Sequence, residues 1–496
     1  MKKILLCVLT ASCVLFIASC GAQVGEAPET TEAAAAAQTA EAASDATAAT
    51  DEPYAAAVIV ETDEGPQRIL TPGSLTLDHF LEDLDYMMYV LENNFALLEV
   101  GYWAHGADAY ALAANAREDI LSAYELDELS EDIYFAILWK NFFPLFNTGH
   151  FAIFSPVRHS SFTTNPYGGY RFAGTDMNRR LLNTPLALRF YETREQTAAE
   201  LVSALLTTLP SITAEGIYNR TFPGGYLKDF ISMEPQAPPP VVSTEIIEEG
   251  KIAYISVSSF NPLTVDQAYI MAFYREIRDF EHLIIDLRGN PGGNINVFLN
   301  NLFRPHLEEA VVIDFFHFFA DGPYARRLGR HMFARTTSNS YINIPGDYRP
   351  VSEILAEFDL PDINLSDFDR LVYGTVSRTS RITPLRVADF GNEPVFRGKI
   401  WMLSDRRMTS AAQMAAHISM ETGFATHVGD VTGGASGGTR TMALLPNTGI
   451  AIYFDIFYLT DSRGRPLEAG TIPHHFNRPG MDALETTLAL IAEGEY

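Results

Sequence analysis

The sequence contains very little cysteine. Only three of its 496 residues are cysteines, and Cys7, Cys13 and Cys20 all lie within the first twenty residues. The chain beyond them therefore has no thiol for a disulfide framework, a cysteine metal site or a thiol nucleophile. Nucleophilic catalysis in this chain would have to use serine, histidine and carboxylate side chains.

Lysine is also scarce. The chain has six lysines, none of them after Lys399, and its formal net charge is −27. We predict no nucleic-acid partner, because binding to phosphates requires clustered lysine and arginine. The content of 47% hydrophobic and 20% charged residues is typical of globular proteins. The length allows two or three domains.

The first twenty residues have the pattern of a secretory signal. Lys2 and Lys3 precede an apolar run over residues 4–18, which is too short for a typical membrane span. The run ends in Ile-Ala-Ser-Cys, which resembles the lipobox of bacterial lipoproteins. That resemblance implies a signal peptide over residues 1–20, a lipid on Cys20 and an extracytoplasmic protein anchored to the bacterial cell membrane. A plain signal peptide cleaved nearby is the alternative, and it predicts the same side of the membrane.

Residues 21–67 are rich in alanine, threonine and glutamate, with ten acidic residues and no basic one. Such a segment cannot bury enough apolar surface to offset its chain entropy. We expect it to be a disordered tether, extended by the repulsion between its like charges.

The remaining chain divides into two parts. Three amphipathic stretches, at residues 75–99, 107–124 and 130–143, predict a mainly helical N-terminal subdomain over residues 68–240. A proline-rich run at its end marks the boundary. In residues 241–496 strands alternate with helices, which predicts an α/β layer architecture. Residues 303–396 interrupt this alternation and are interpreted as an insertion that could act as a lid.

Two strand-to-helix turns in the second part could carry chemistry. The first, at residues 286–293 (DLRGNPGG), contains a Gly-Gly pair that permits positive φ and a close approach of a ligand to the main chain. The same residues also make an ordinary tight turn. Because their spacing does not match G-x-G-x-x-G, they do not predict a dinucleotide cofactor.

The second turn ends at Ser410, the first residue of a predicted helix over residues 410–419. A serine in this position is either a helix N-cap or a nucleophile, in which case the N–H of Ala411 would hold the developing oxyanion. Ser436 lies in a G-x-S-x-G pattern, but that motif requires a helix after the serine. A strand is predicted there instead, so Ser436 is interpreted as a loop residue.

Together these turns and their surroundings resemble the S41 serine peptidases, which include the C-terminal processing proteases and the tricorn-type enzymes. The resemblance implies a ClpP/crotonase-like α/β core, a protein or peptide substrate, and no cofactor or metal. It makes Ser410 the nucleophile and the main chain of Ala411, Gly292 and Gly293 the oxyanion hole. The similar segments are KIAYISVSSF (251–260), HLIIDLRGNPGG (282–293), GKIWMLSDRRMTSAAQMAA (398–416), VGDVTGG (428–434) and EAGTIP (468–473).

The activation scheme is decided by the missing lysines. Processing proteases activate the serine with a lysine in a later loop, where this chain has Ala435. Tricorn-type enzymes use a histidine from the N-terminal part and a glutamate near the C-terminus. The resemblance therefore implies His150 as general base and Glu468 as its orienting carboxylate, in a member without a PDZ domain.

One departure from the family pattern leaves a second function open. His474 replaces the usual aspartate, and His475 follows it, so the C-terminal loop could be arranged differently and His474 could serve as a base. The alternative to a peptidase is a catalytically inactive S41-like lipoprotein that binds a peptide or another ligand, because fold does not fix function.

Overall fold

The computed structural model describes residues 61–62, 65–66, 75–156, 159, 175–192, 240–327, 349–378, 382–435 and 440–495. The predicted signal peptide with Cys20, most of the predicted tether, and Ser436 lie outside the described residues. None of the helices in the described ranges has the length and apolar character needed to cross a membrane.

The described helices and strands have the following bounds. The helices are α1 (Leu77–Asn94), α2 (Leu98–His105), α3 (Ala109–Glu125), α4 (Glu131–Phe142), α5 (Thr175–Leu182), α6 (Pro185–Tyr191), α7 (Gln267–Glu276), α8 (Ile295–Phe298), α9 (Val351–Glu357), α10 (Ala411–Glu421) and α11 (Ala483–Glu493). The strands are β1 (Glu61–Thr62), β2 (Gly65–Pro66), β3 (Ala152–Ile153), β4 (Val242–Glu248), β5 (Ile252–Val257), β6 (His282–Asp286), β7 (Asp314–Ala320), β8 (Arg349–Pro350), β9 (Leu371–Arg378), β10 (Lys399–Ser404), β11 (Thr426–Gly429), β12 (Arg440–Leu444), β13 (Ala451–Asp455), β14 (Phe457–Thr460) and β15 (His475–Phe476).

The C-terminal half is built on a six-stranded sheet in the order β15-β11-β10-β6-β5-β4. All neighbouring strands are parallel except β4 and β5. Strand β6 is buried along its whole length, with Leu283 and Ile285 packed among α7, α8 and α10 and Ile284 packed against α11. Burial on both faces explains why its sequence is continuously apolar. The predicted α/β core with an N-terminal helical region is confirmed.

The N-terminal helices are capped and amphipathic, as their sequences predict. Asp108 accepts main-chain hydrogen bonds at the start of α3, and Ser130 does so at the start of α4. Such caps satisfy N–H groups that have no partner inside the helix. The buried face of α1 includes Phe80, Leu84 and Met87, which belong to a core shared with strands from the C-terminal half.

A second sheet joins the two halves of the chain. Its order is β12-β13-β3, so the short N-terminal strand β3 pairs with a C-terminal hairpin. Asp83 of α1 holds the hairpin's turn: its carboxylate accepts the N–H groups of Asn447 and Thr448 and the Thr448 hydroxyl. The N-terminal part is therefore attached to the hairpin by main-chain pairing and by a buried carboxylate.

Described residues within 303–396 form part of a third sheet, in the order β14-β7-β9-β8. Phe316 and Phe318 of β7 pack in the same core as the N-terminal helices. The apolar run at residues 450–459 is divided at Ile456, and β13 and β14 enter different sheets. A lid function for the insertion stays a prediction.

Candidate active site

The two turns singled out in the sequence lie at the same edge of the main sheet. They follow β6 and β10, which are parallel neighbours, so the carboxyl ends of the two strands lie side by side. Thr409 connects the turns, since its N–H donates to Asn290 O at 3.3 Å and its hydroxyl to Pro291 O at 3.1 Å. Gly289 N–H donates to Asp405 Oδ1 at 3.0 Å. The structure therefore brings both motifs into one site.

Ser410 has the backbone position of an N-cap, but its side chain does not act as one. Its hydroxyl makes no capping hydrogen bond to α10, and its φ of 55° and ψ of −123° are rare for a residue with a side chain. Such a conformation costs about 1–3 kcal/mol and persists only where the surroundings enforce it. Here Ser410 N–H donates to Gly434 O at 3.0 Å. Within the described ranges, Ser410 Oγ has no hydrogen-bond partner, which leaves it available for chemistry.

Two main-chain N–H groups next to Ser410 are also unpaired. Neither Ala411 N nor Gly293 N donates a hydrogen bond to any described residue. Gly292 differs from the prediction, because its N–H donates to Asn290 Oδ1 at 2.8 Å and is already engaged. The reason is local: the buried Asn290 side chain folds back over its own turn. Of the predicted oxyanion donors, Ala411 and Gly293 are free.

Gly292 nevertheless has a steric role. Its φ is 96°, and a Cβ at this position would lie 2.7 Å from both Ala411 N and Thr409 O. The turn and the start of α10 can therefore approach each other only with glycine here.

His150 lies in the turn before β3 and is held by Asp455. Its Nδ1 is 2.7 Å from Asp455 Oδ2, and Asp455 N–H donates to Gly149 O at 2.9 Å. The side chain of Asp455 is fully buried, whereas that of His150 is 16% exposed. Burial raises the pKa of Asp455, and the neighbouring His150 opposes that rise. His150 Nε2 has no hydrogen-bond partner within the described ranges.

Asp455 was not predicted as a site residue, and strand register explains its position. Strands β3 and β13 pair Ile153 with Ile452 and Ala152 with Tyr453. Extending this antiparallel register by two residues sets Asp455 opposite His150. One signal in the sequence could have revealed it, since Asp455 is the single acidic residue within the apolar run at 450–459.

Glu468 does not have the contact that was predicted for it. Its carboxylate binds two main-chain groups: Oε1 accepts Gly149 N–H at 2.9 Å and Oε2 accepts Ala435 N–H at 2.8 Å. The ring of His105 lies nearby, with Nε2 at 3.5 Å from Oε1. The prediction that Glu468 orients the His150 ring is corrected here, because Asp455 occupies the Nδ1 side of that ring.

Ser410 and His150 are connected indirectly. No hydrogen bond joins Ser410 Oγ to His150 Nε2 in the part of the chain that the structure describes. Glu468 instead bridges the two sides. One of its oxygens accepts the N–H of Ala435, which follows Gly434, whose carbonyl oxygen accepts Ser410 N–H. The other accepts the N–H of Gly149, which precedes His150. Catalytic hydrogen bonds are often long before substrate binds.

The other described histidines have different environments. Burial lowers the pKa of His306, His417 and His427 to about 3, so these rings are neutral at physiological pH. His474 Nδ1 accepts the main-chain N–H of His427 at 2.9 Å, and His475 pairs with Val428 in the sheet. The structure thus gives His474 and His475 positions in the sheet edge. No described group of three or more His, Cys, Asp or Glu residues could hold a metal ion.

The sequence also matches a known family. The model of peptidase family S41 matches residues 251–476. Residues 251–476 are therefore similar to peptidase family S41. The matched range contains most of the candidate site residues: Ser410, Gly292, Gly293, Asp455 and Glu468. His150 precedes it and lies in the N-terminal part, which pairs with the matched range through β3.

Several solved structures are similar to this chain at low identity. A candidate peptidase from Parabacteroides merdae is 15% identical over 84% of this chain and 97% of its own, with a TM-score of 0.43. Mature CPAF in complex with lactacystin is 16% identical over 84% and 98%, with a TM-score of 0.44. A lipoprotein from Streptococcus agalactiae is 10% identical over 86% and 99%, with a TM-score of 0.35. At these scores the likenesses carry no inference about function.

Proposed function

We propose that the protein is an extracytoplasmic serine peptidase that hydrolyses peptide bonds through an acyl-enzyme on Ser410. The observation that carries this proposal is the conformation of Ser410. Ser410 has a positive φ, its hydroxyl makes no hydrogen bond within the described ranges, and unpaired N–H groups lie beside it. A capping or packing role does not require the strain of this backbone conformation. The match to peptidase family S41 makes peptide hydrolysis the reaction class to test.

In this proposal His150 is the general base. Ser410 Oγ attacks the carbonyl carbon of the scissile peptide while its proton passes to His150 Nε2. The negative charge that develops on the carbonyl oxygen accepts hydrogen bonds from the N–H groups of Ala411 and Gly293. When the tetrahedral intermediate collapses, His150 returns the proton to the leaving amine. Water activated by the same ring then hydrolyses the ester, with no metal or cofactor taking part.

The proposed location rests on the sequence of the first residues. Lipidation of Cys20 would anchor the protein to the membrane, and residues 21–67 would separate the peptidase from it. Incorporation of labelled palmitate into the full chain tests this. We expect the label to be lost, and the protein to become soluble, when Cys20→Ala is introduced. Label that persists in that variant contradicts the anchor but leaves the peptidase proposal intact.

Active-site labelling with a fluorophosphonate tests the peptidase proposal. We expect the purified protein to be labelled at Ser410, and Ser410→Ala to remove the label completely. Ser436→Ala is the matched control, because Ser436 lies in the G-x-S-x-G pattern, and it should be labelled like the parent. Label that survives Ser410→Ala overturns the assignment. A folded parent protein that takes up no label supports the inactive, ligand-binding alternative instead.

A further inference from the structure

We infer that the two buried carboxylates of the site divide between them the tasks that a single acid performs in a Ser-His-acid triad. Asp455 orients the imidazole of His150, and Glu468 clamps the main chain on both sides of the site. Both are positioning residues, since Asp455 acts through the His150 ring and Glu468 through the main chain of Gly149 and Ala435. The inference deepens the proposed function and rests on it where it speaks of catalysis.

The geometry of Asp455 fits the orienting task. Its Oδ2 lies 2.7 Å from His150 Nδ1, the hydrogen-bond distance of a charge-assisted pair. An acceptor on Nδ1 holds the proton there and leaves the Nε2 lone pair facing outward, which is the tautomer that a general base needs. The main chain supports this arrangement, because Asp455 N–H donates to Gly149 O.

The geometry of Glu468 fits a different task. Both of its oxygens accept main-chain N–H groups, one before His150 and one after Gly434. The two peptide groups belong to chain segments almost 300 residues apart, and Glu468 is only 1% exposed. A carboxylate can accept at both oxygens, whereas an amide has one acceptor and one donor end. Replacement by glutamine would therefore break one half of the clamp.

Two histidines serve as separate reporters of these carboxylates. His150 contacts Asp455, and His105 Nε2 lies 3.5 Å from Glu468 Oε1 with no other partner within the described ranges. Removing one carboxylate should therefore change the ring-nitrogen NMR signals of its own histidine more than those of the other. Arg440 also acts on Asp455 and is left unchanged in all variants.

The test is ¹⁵N NMR of the histidine rings in the full chain carrying Ser410→Ala, which prevents self-cleavage. The His150 and His105 signals are assigned with His150→Gln and His105→Gln. We expect Asp455→Asn to shift the ring-nitrogen signals of His150 and to leave those of His105 nearly unchanged. We expect Glu468→Gln to shift the ring-nitrogen signals of His105 more than those of His150. A larger effect of Glu468→Gln than of Asp455→Asn on His150 overturns the inference.

A second measurement needs no substitution at either carboxylate, in case one variant does not fold. With ¹⁵N-labelled histidine, the neutral His150 ring should carry its proton on Nδ1. A proton on Nε2 contradicts the assignment of Asp455.

Kinetics then link the inference to catalysis. The rate of fluorophosphonate labelling should fall by about 10³–10⁴ for Asp455→Asn, as expected for loss of the orienting acid in a Ser-His-acid triad. It should fall by about 10–100-fold for Glu468→Gln, as expected for a small displacement. The reverse order overturns the inference. If the parent takes up no label, the proposed function fails while the NMR comparison still decides which carboxylate orients His150.

Discussion

The side of the site with the proposed nucleophile, Ser410, and the side with the proposed base, His150, are built in different ways. The nucleophile side consists of two short motifs, each continuous in sequence, at the ends of the adjacent parallel strands β6 and β10. The base side exists only because strands from opposite ends of the chain pair: His150 and Asp455 are 305 residues apart. The first side is therefore encoded locally, and the second depends on correct assembly of the N-terminal part with the C-terminal half.

The largest expected effects test whether the two sides act as one unit. Ser410→Ala and His150→Ala should each reduce peptide hydrolysis by about 10⁴-fold or more, because neither residue can transfer the proton alone. The double variant should be no worse than either single one. Turnover of a fluorogenic peptide measures this. If the losses multiply in the double variant, the residues act independently and the proposed pairing is wrong.

A glycine on the nucleophile side should have the next largest effect. Gly292→Ala would bring a Cβ to 2.7 Å from Ala411 N, so the turn must move away from Ser410 and carry the Gly293 donor with it. We expect kcat to fall by about 10²–10³-fold, the typical loss for one oxyanion donor.

Gly250→Ala is the matched control for that change. Gly250 also has positive φ, at 67°, but nothing lies within 4 Å of the added Cβ. It should lose about 1 kcal/mol of stability through strain and keep its kcat. Equal losses of kcat in the two variants would show that strain, and not the position of the turn, is responsible.

The corresponding glycine on the base side should have a smaller effect. The Cβ of Gly149→Ala would meet Leu97 Cδ1 at 2.5 Å and Phe95 Cε2 at 2.9 Å. These are side-chain atoms that can shift, so His150 should be displaced only slightly and kcat should fall by about 10–100-fold. Gly106→Ala, with φ of 69° and open space, is the control and should retain full activity. An unchanged kcat in Gly149→Ala would contradict the account of the His150 turn.

The smallest effect on activity is expected at Asp83, which anchors the hairpin of Asp455. Burial raises the pKa of Asp83 from 3.8 to about 7, against the hydrogen bonds from Thr448 and Asn447. Because the folded protein holds this proton more tightly than the unfolded chain, the stabilisation is complete below about pH 4 and is lost as the pH rises through 7. The loss of stability between pH 5 and pH 8 amounts to about 2–3 kcal/mol.

Urea unfolding at both pH values measures this contribution. Asp83→Asn should lack it, so the parent should lose about 2–3 kcal/mol more than the variant on going from pH 5 to pH 8. Comparison with the variant is needed because buried histidines such as His417, whose pKa is lowered to about 3, change stability in the opposite direction. Parallel pH dependence in the two proteins would contradict the raised pKa of Asp83.

The contrast between the two sides also explains what could be predicted from the sequence. The apolar run of β6, the Gly-Gly turn after it and the serine before α10 are local signals, and each of them identified its element. The division of residues 450–459 at Ile456 and the pairing of Asp455 with His150 depend on β3 joining β13. The sequence periodicity within β3 or within β13 does not indicate that these two strands pair.

Glu468 falls between these cases. Resemblance identified it as a site residue, but its partners are main-chain N–H groups of Gly149 and Ala435. Main-chain partners leave no trace in side-chain patterns, so only the structure could assign them. The engaged N–H of Gly292 is a similar case, since it depends on the rotamer of Asn290.

In the proposed mechanism, Ser410, His150 and the N–H groups of Ala411 and Gly293 form one catalytic site. A crystal structure of the protein after reaction with a peptidyl phosphonate tests it most directly. We predict continuous density from Ser410 Oγ to phosphorus, a phosphonyl oxygen within about 3 Å of both N atoms, and His150 Nε2 within hydrogen-bond distance of the adduct. An adduct on another residue, or a His150 ring that points away from the phosphonate, would contradict the claim.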